Sequence, residues 1–171
     1  MTIAWGGICS SQPPCVMVCV RKATHTHAGI VQRAAYTVNI PSRTQVSEAD
    51  FAGMVSGREH DKFAECGFTA VRSTLVDAPY IGEVPLVLEC RVVQTHQVGI
   101  HTMFVGEILD VKADDSVLRD GRALDMLKVS PIIYDASTRS YFAVGDALGP
   151  GWELGKAIGQ RKLAGVGDKT E

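Results

Sequence analysis

The stretch "VRKATHTHAGI" (Val20–Ile30) sets two cations, two hydroxyls and two imidazoles directly behind an apolar run. They are Arg21, Lys22, Thr24, Thr26, His25 and His27, and three kinds of chemistry use such residues. A metal would take His25 and His27, which in an extended segment project to one side and could chelate together. No carboxylate stands near them, however, and Arg21 and Lys22 would repel a divalent cation. A phosphate suits the composition better: arginine presents a planar fork of donors, lysine a point charge, and the threonines add hydroxyls. If Thr26 caps a helix that starts there, the free backbone N–H groups of its first turn add an anion seat. The plain alternative is a wet surface at a strand's end, and this stretch alone leaves phosphate and solvent both open.

The neighbouring elements decide where these groups sit. Cys15–Val20 is a near-continuous apolar run fronted by Pro13-Pro14 and reads as a buried strand. Tyr36–Ile40 ("YTVNI"), ended by Pro41, reads as a second strand. Between them, Thr26–Arg33 is a two-turn helix candidate. Ser47-Glu48-Ala49-Asp50 reads as a capping box opening a helix through Val55, and Asp61–Cys66 as a short helix stopped by Gly67. "EVPLVLECRVVQTHQV" and "HTMFVGEILDVKA" form long extended runs joined at Gly99-Ile100, a hairpin with unusually long arms. Such arms curl, and closing them into a barrel removes their exposed edges. Ile132–Tyr134 and Tyr141–Val144 flank "DASTRS" as a smaller hairpin. The expectation is one mainly β domain over residues 1–145 with helical insertions. A glycine-rich tail, 146–171, follows, with a helical candidate at Glu153–Ile158.

Bulk properties remove several functions. A net charge of −2 gives no electrostatic case for nucleic acid or an anionic membrane. The longest apolar runs are too short to span a bilayer, and no signal peptide is read after Met1. Five cysteines without a C-x-x-C pair exclude zinc-ribbon and thioredoxin patterns. They read as small core residues in a reducing cytoplasm, with Cys66 the candidate for a reactive thiol.

Several motifs recur in a fixed order: Met1-Thr2 with Trp5, Ser10–Pro14, Arg21-Lys22 to Thr26, Val38-Asn39-Ile40-Pro41, Asp61-Lys62-Phe63, and "GIHTMFVGEILDV" (Gly99–Val111). This ordered set resembles the flavin reductase-like family, the FMN-binding split barrels, and within it the flavoredoxin-like members. The resemblance implies a six-stranded antiparallel split β-barrel of Greek-key type with short helical insertions. It implies non-covalent FMN at the barrel rim, near a homodimer interface. Arg21, Lys22 and Thr26 would hold the phosphate. Thr2, Ile3, Ala4 and Trp5, with Ser10 and Ser11, would flank the isoalloxazine; Asn39 would lie near the flavin. His101 would stand beside the ring as the catalytic group, where donor or acceptor docks.

Each residue also has a plainer reading. Trp5 serves as packing, Asn39 bonds its neighbouring backbone, His101 is a polar residue after a turn, and Lys62 is a surface charge. Members of the family usually carry a strand ahead of the Met-Thr-x-x-Trp stretch, so either the true start lies upstream or a strand is omitted, which would leave a barrel edge to be covered by the tail or a partner.

The activity implied is that of an oxidoreductase passing electrons through the flavin, to or from a small-molecule or protein partner. No G-x-G-x-x-G follows a strand, so NADH or NADPH would dock only transiently. Two other classes compete: a non-enzymatic flavin or haem module on the same fold, and a metal-dependent hydrolase built on His25, His27, His60, His96 and His101.

Overall fold

The protein's structure, a computed structural model, describes residues 1–156 and 158. The chain opens with a hairpin of β1 (Gly6–Ser11) and β2 (Pro14–Arg21), then passes through helix α1 (His25–Arg33) into β3 (Ala35–Ile40). Helices α2 (Val46–Met54) and α3 (Lys62–Glu65) follow, then the short pair β4 (Ala70–Arg72) and β5 (Pro79–Ile81). The long hairpin is β6 (Leu86–Val98) and β7 (His101–Ala113), turning at Gly99 with a φ of +53°. Beyond it lie the two-residue strands β8 (Leu118–Arg119) and β9 (Ala123–Leu124), helix α4 (Met126–Val129), and the hairpin of β10 (Ile132–Asp135) and β11 (Ser140–Ala143).

The main sheet is antiparallel with the order β1-β2-β7-β6-β3. It therefore has five strands where the resemblance implied six, and the remaining strands form separate two-stranded pairs. Alternation along β2 turns Val16, Val18 and Val20 to one face, where Ile30, Tyr36, Cys90 and Phe104 complete a core. Burying this apolar set is what drives the sheet to roll. Tyr36 lies on edge strand β3, yet its hydroxyl donates to the Val16 carbonyl on β2 at 2.7 Å. In a flat sheet those strands would stand about 14 Å apart, so the contact measures how far the sheet has curled. Gly106 lets the ring through: a Cβ there would lie 2.5 Å from the Tyr36 hydroxyl. Burial pushes that phenol's pKa well above its ordinary value. The roll leaves one side open. Ile8, paired with core-facing Val16, is 70% exposed at the β1 edge.

The outer face near β3 is covered by β4 and β5. Thr37 donates to the Pro79 carbonyl (2.7 Å), and the Ile81 N–H donates to the Asn39 side chain (2.8 Å). Beneath this cover Glu89 is wholly buried with Lys112 Nζ 3.4 Å away, and Lys112 also bonds Asp110 at 2.7 Å. Helix α2 starts at Val46 without a side-chain cap, so the capping box expected at Ser47 is absent there. Gln45 instead accepts the Ser42 N–H at 3.0 Å, closing the single 3-10 turn that leads into the helix. No described helix is long and apolar enough to cross a membrane. Of the helix expected at Glu153–Ile158, residues 153–155 form a turn and 156 and 158 are helical, with the Lys156 N–H donating to the Glu153 carbonyl at 3.0 Å; 157 and 159–171 lie outside the described residues.

Candidate functional site

Strand β2 ends at Arg21, whose register partner on the next strand is His101, the first residue of β7. The chain then reverses at Thr24. Its N–H and its hydroxyl both donate to the Arg21 carbonyl, at 3.0 and 2.8 Å. Thr24, not Thr26, is therefore the residue before the helix, and α1 begins at His25. With the Thr24 hydroxyl turned back to Arg21, no side chain caps α1, and its first turn holds no acidic residue. The leading amides of a helix have no carbonyl one turn earlier to bond. Here they belong to His25, Thr26 and His27, and Thr26 adds its hydroxyl to the same turn. Arg21 and Lys22 are exposed, and neither makes an ion pair among the described residues. The corner thus offers uncapped amides, a hydroxyl and two unpaired cations in a nine-residue helix start, a donor set that fits a phosphate monoester.

The metal reading fails on geometry. His25 and His27 lie in a helix rather than an extended segment, so about 200° separates their directions around the axis. His27 turns onto the barrel: its Nε2 is 2.8 Å from Thr102 Oγ1 and its ring centroid 5.4 Å from that of Phe104. His25 instead rests by Gly57, where a Cβ would come within 3.1 Å of its Nδ1. His60 pairs with Glu65 at 3.0 Å, and His96 bonds Gln94 at 3.2 Å. Among the described residues no group of three His, Cys, Asp or Glu side chains could hold a metal.

The amino-terminal stretch runs alongside this corner. The Trp5 carbonyl accepts the Cys19 N–H at 2.8 Å, two residues before Arg21, while the indole is 54% exposed. Thr2 donates to the Ala49 carbonyl and packs on Gly53, and Ile3 and Ala4 are exposed. Trp5, Arg21, Lys22, Thr26 and His101 accordingly gather at one end of the β2–β7 pair. Ser10 and Ser11 stand at the other end of the hairpin, opposite Cys15 and Pro14, with the Ser10 hydroxyl accepting the Gln12 N–H at 3.3 Å. Asn39 sits on the far edge strand, its side chain engaged by Ile81 and Thr37.

Two other side chains are tied into the scaffold. Lys62 is half-buried and donates to the Ala52 carbonyl at 2.6 Å, and burial lowers its pKa. Cys66 contacts the Glu48 carbonyl at 3.8 Å, and burial foremost pushes its thiol up, away from the thiolate that reactivity requires. Sequence reasoning missed Thr24 as the residue before the helix and Thr102 as an inward hydroxyl. Thr102 was findable: it alternates with Phe104 and Gly106, and a core-facing hydroxyl needs a partner.

The family model for the flavin reductase like domain matches residues 1–142. The fold superposes on flavoredoxin of Desulfovibrio vulgaris (Miyazaki F) with a TM-score of 0.85 and 47% identity, covering 90% of this chain and 82% of that one. Flavoredoxin from Methanosarcina acetivorans gives 0.85 and 33%, over 91% and 82%. A reductase component of 4-nitrophenol 4-monooxygenase/4-nitrocatechol 2-monooxygenase from Rhodococcus opacus is 34% identical over 101 residues, 59% of this chain and 51% of that one.

Proposed function

The chain belongs to the flavin reductase like family, and from that premise we propose that it is an FMN-binding oxidoreductase that relays reducing equivalents through its flavin. The observation that carries the cofactor reading is the uncapped first turn of α1 beside Arg21 and Lys22. Bound FMN supplies the redox chemistry, accepting a hydride or single electrons. The side chains do the rest. Arg21 and Lys22 hold the phosphate electrostatically, while Thr26 and the first-turn amides of α1 donate to its oxygens. The Thr2–Trp5 stretch flanks the isoalloxazine, and the exposed Trp5 gives an apolar wall against which a ring can lie; Ser10 and Ser11, at the other end of the hairpin, fall outside this arrangement. Asn39, on the far edge strand with both ends of its amide taken by Ile81 and Thr37, stands apart from it. His101, in register with Arg21, stands at the mouth of the site, where its imidazole governs access and can hold a proton for the incoming partner.

A second copy of the chain covers the open β1 edge in this reading. Ile8 and Trp5, both largely exposed, supply the apolar surface, and the site lies close to that interface. Five free cysteines suit a reducing cytoplasm. The similarity to two flavoredoxins favours a carrier that exchanges electrons with a protein partner; the similarity to a monooxygenase reductase component favours reduction by NADH or NADPH.

An anaerobic titration separates these roles. The purified protein, loaded with FMN, is expected to be yellow, and NADH or NADPH should bleach it within a turnover time if it is a reductase. Bleaching only by a reduced protein donor marks a carrier. A well-folded sample that takes up no FMN at micromolar excess overturns the proposal in both forms.

A further inference from the structure

His27 is the third residue of α1, inside the turn that presents the uncapped amides, and its ring is turned onto strand β7. Its Nε2 lies 2.8 Å from Thr102 Oγ1, across 75 residues of sequence, and its ring tilts 58° against Phe104. Thr102 is 1% exposed and directly follows His101 on β7. Its hydroxyl lies 3.4 Å from the Gln97 side-chain oxygen, and Gln97 is its register partner on β6. A hydroxyl has one proton. Donating it to Gln97 leaves the oxygen to accept from a protonated Nε2 of His27. The chain of donors therefore runs from the first turn of α1 to the start of β7 and on to β6.

We infer that His27 is a positioning residue. Its bond to Thr102 fixes the first turn of α1 against the strand that carries His101, and so sets the aim of the amide cluster at the flavin phosphate. The physical need is clear from the local structure. Helix α1 is short, it has no side-chain cap, and Ile30 is its one buried residue. A nine-residue helix is marginal on its own, and without a second anchor its first turn can fray. Ile30 pins the middle of the helix into the core, and His27 pins the turn that does the binding. Preorganised donors bind more tightly than donors that must be ordered on binding. The inference rests on the phosphate assignment made above, and the experiment is arranged so that each can fail by itself.

FMN and riboflavin affinities are measured on the full chain by fluorescence quenching, for the wild type and for His27→Leu, His27→Gln, Thr102→Val and Arg21→Ala. Riboflavin lacks the phosphate, so the ratio of the two affinities reads the phosphate seat, and a general loss of folding does not move it. His27→Leu is expected to weaken FMN about tenfold and riboflavin less than twofold, tenfold corresponding to about 1.4 kcal/mol. Thr102→Val, which keeps the shape and removes only the hydroxyl, should do the same and serves if His27→Leu folds poorly. His27→Gln retains a donor at the same reach and should restore the ratio to within about threefold of wild type. Loss of the ratio in Arg21→Ala, with none in His27→Leu or Thr102→Val, overturns the positioning role and leaves the phosphate seat standing. Equal loss of both ligands in His27→Leu and Thr102→Val also overturns it, since the bond would then hold up the whole site. An unchanged ratio in all four variants overturns the phosphate seat, and the positioning role with it.

Discussion

Helices α1 and α3 begin in opposite ways. At α3 the Asp61 carboxylate turns inward and accepts the N–H groups of Phe63 and Ala64, each at 3.2 Å, so two of its leading amides are already bonded by its own chain. At α1 the Thr24 hydroxyl is turned backward to the Arg21 carbonyl, and the leading amides keep their donor capacity. One start is closed by its own side chain and the other is left open. The difference lies in a single side chain's direction, because a cap and an external anion compete for the same amides. The cations follow the same division: Arg21 and Lys22 stand next to the open start without ion-pair partners among the described residues.

That contrast can be broken by mutation. The largest effect is expected from Arg21→Ala, which should weaken FMN roughly thirtyfold or more through loss of a charge-assisted contact while leaving riboflavin nearly unchanged. Isothermal titration with both ligands checks it, and equal losses would remove Arg21 from the phosphate. Converting the open start into a closed one comes next. Thr24→Asp places a carboxylate before α1, which should cap the amides and repel phosphate. FMN should weaken about tenfold while urea denaturation shows a gain of about 0.5 kcal/mol. The reverse operation, Asp61→Ala, should lower stability by about 1 kcal/mol in the same assay and leave the affinity ratio of FMN to riboflavin where it was. Smallest is the salt response. Raising sodium chloride from low to moderate concentration should weaken FMN by roughly threefold and riboflavin not at all, since only an exposed charge pair is screened. An identical slope for both ligands would mean that the phosphate does not meet the cations.

Much of the scaffold was legible because its signals are local. The arms at 86–98 and 101–113 are rich in β-branched residues and meet at a glycine, so their strand character and turn followed from composition and spacing. The basic corner was legible for the same reason: six donor-bearing side chains crowd into seven positions, 21 to 27. Details that depend on the direction of a side chain were not. His25 and His27 look like a chelating pair if the segment is extended, and diverge once it is helical. Glu89, a lone charge in the apolar run that opens β6, is wholly buried beside Lys112, and that pairing became visible only once the strands had come together. Asn39 reads as a strand-end polar group, and only the arrival of Ile81 shows which backbone it bonds.

By itself the sequence determined where donors and cations accumulate, which runs extend, and where the chain must turn, since each of these follows from neighbours along the backbone. The tertiary structure alone decided which threonine precedes the helix, which histidine faces the barrel, and how Tyr36 reaches Val16 across the roll. Those outcomes depend on contacts between residues distant in the chain, such as the 75 positions between His27 and Thr102. No local pattern encodes a partner until packing has brought it near.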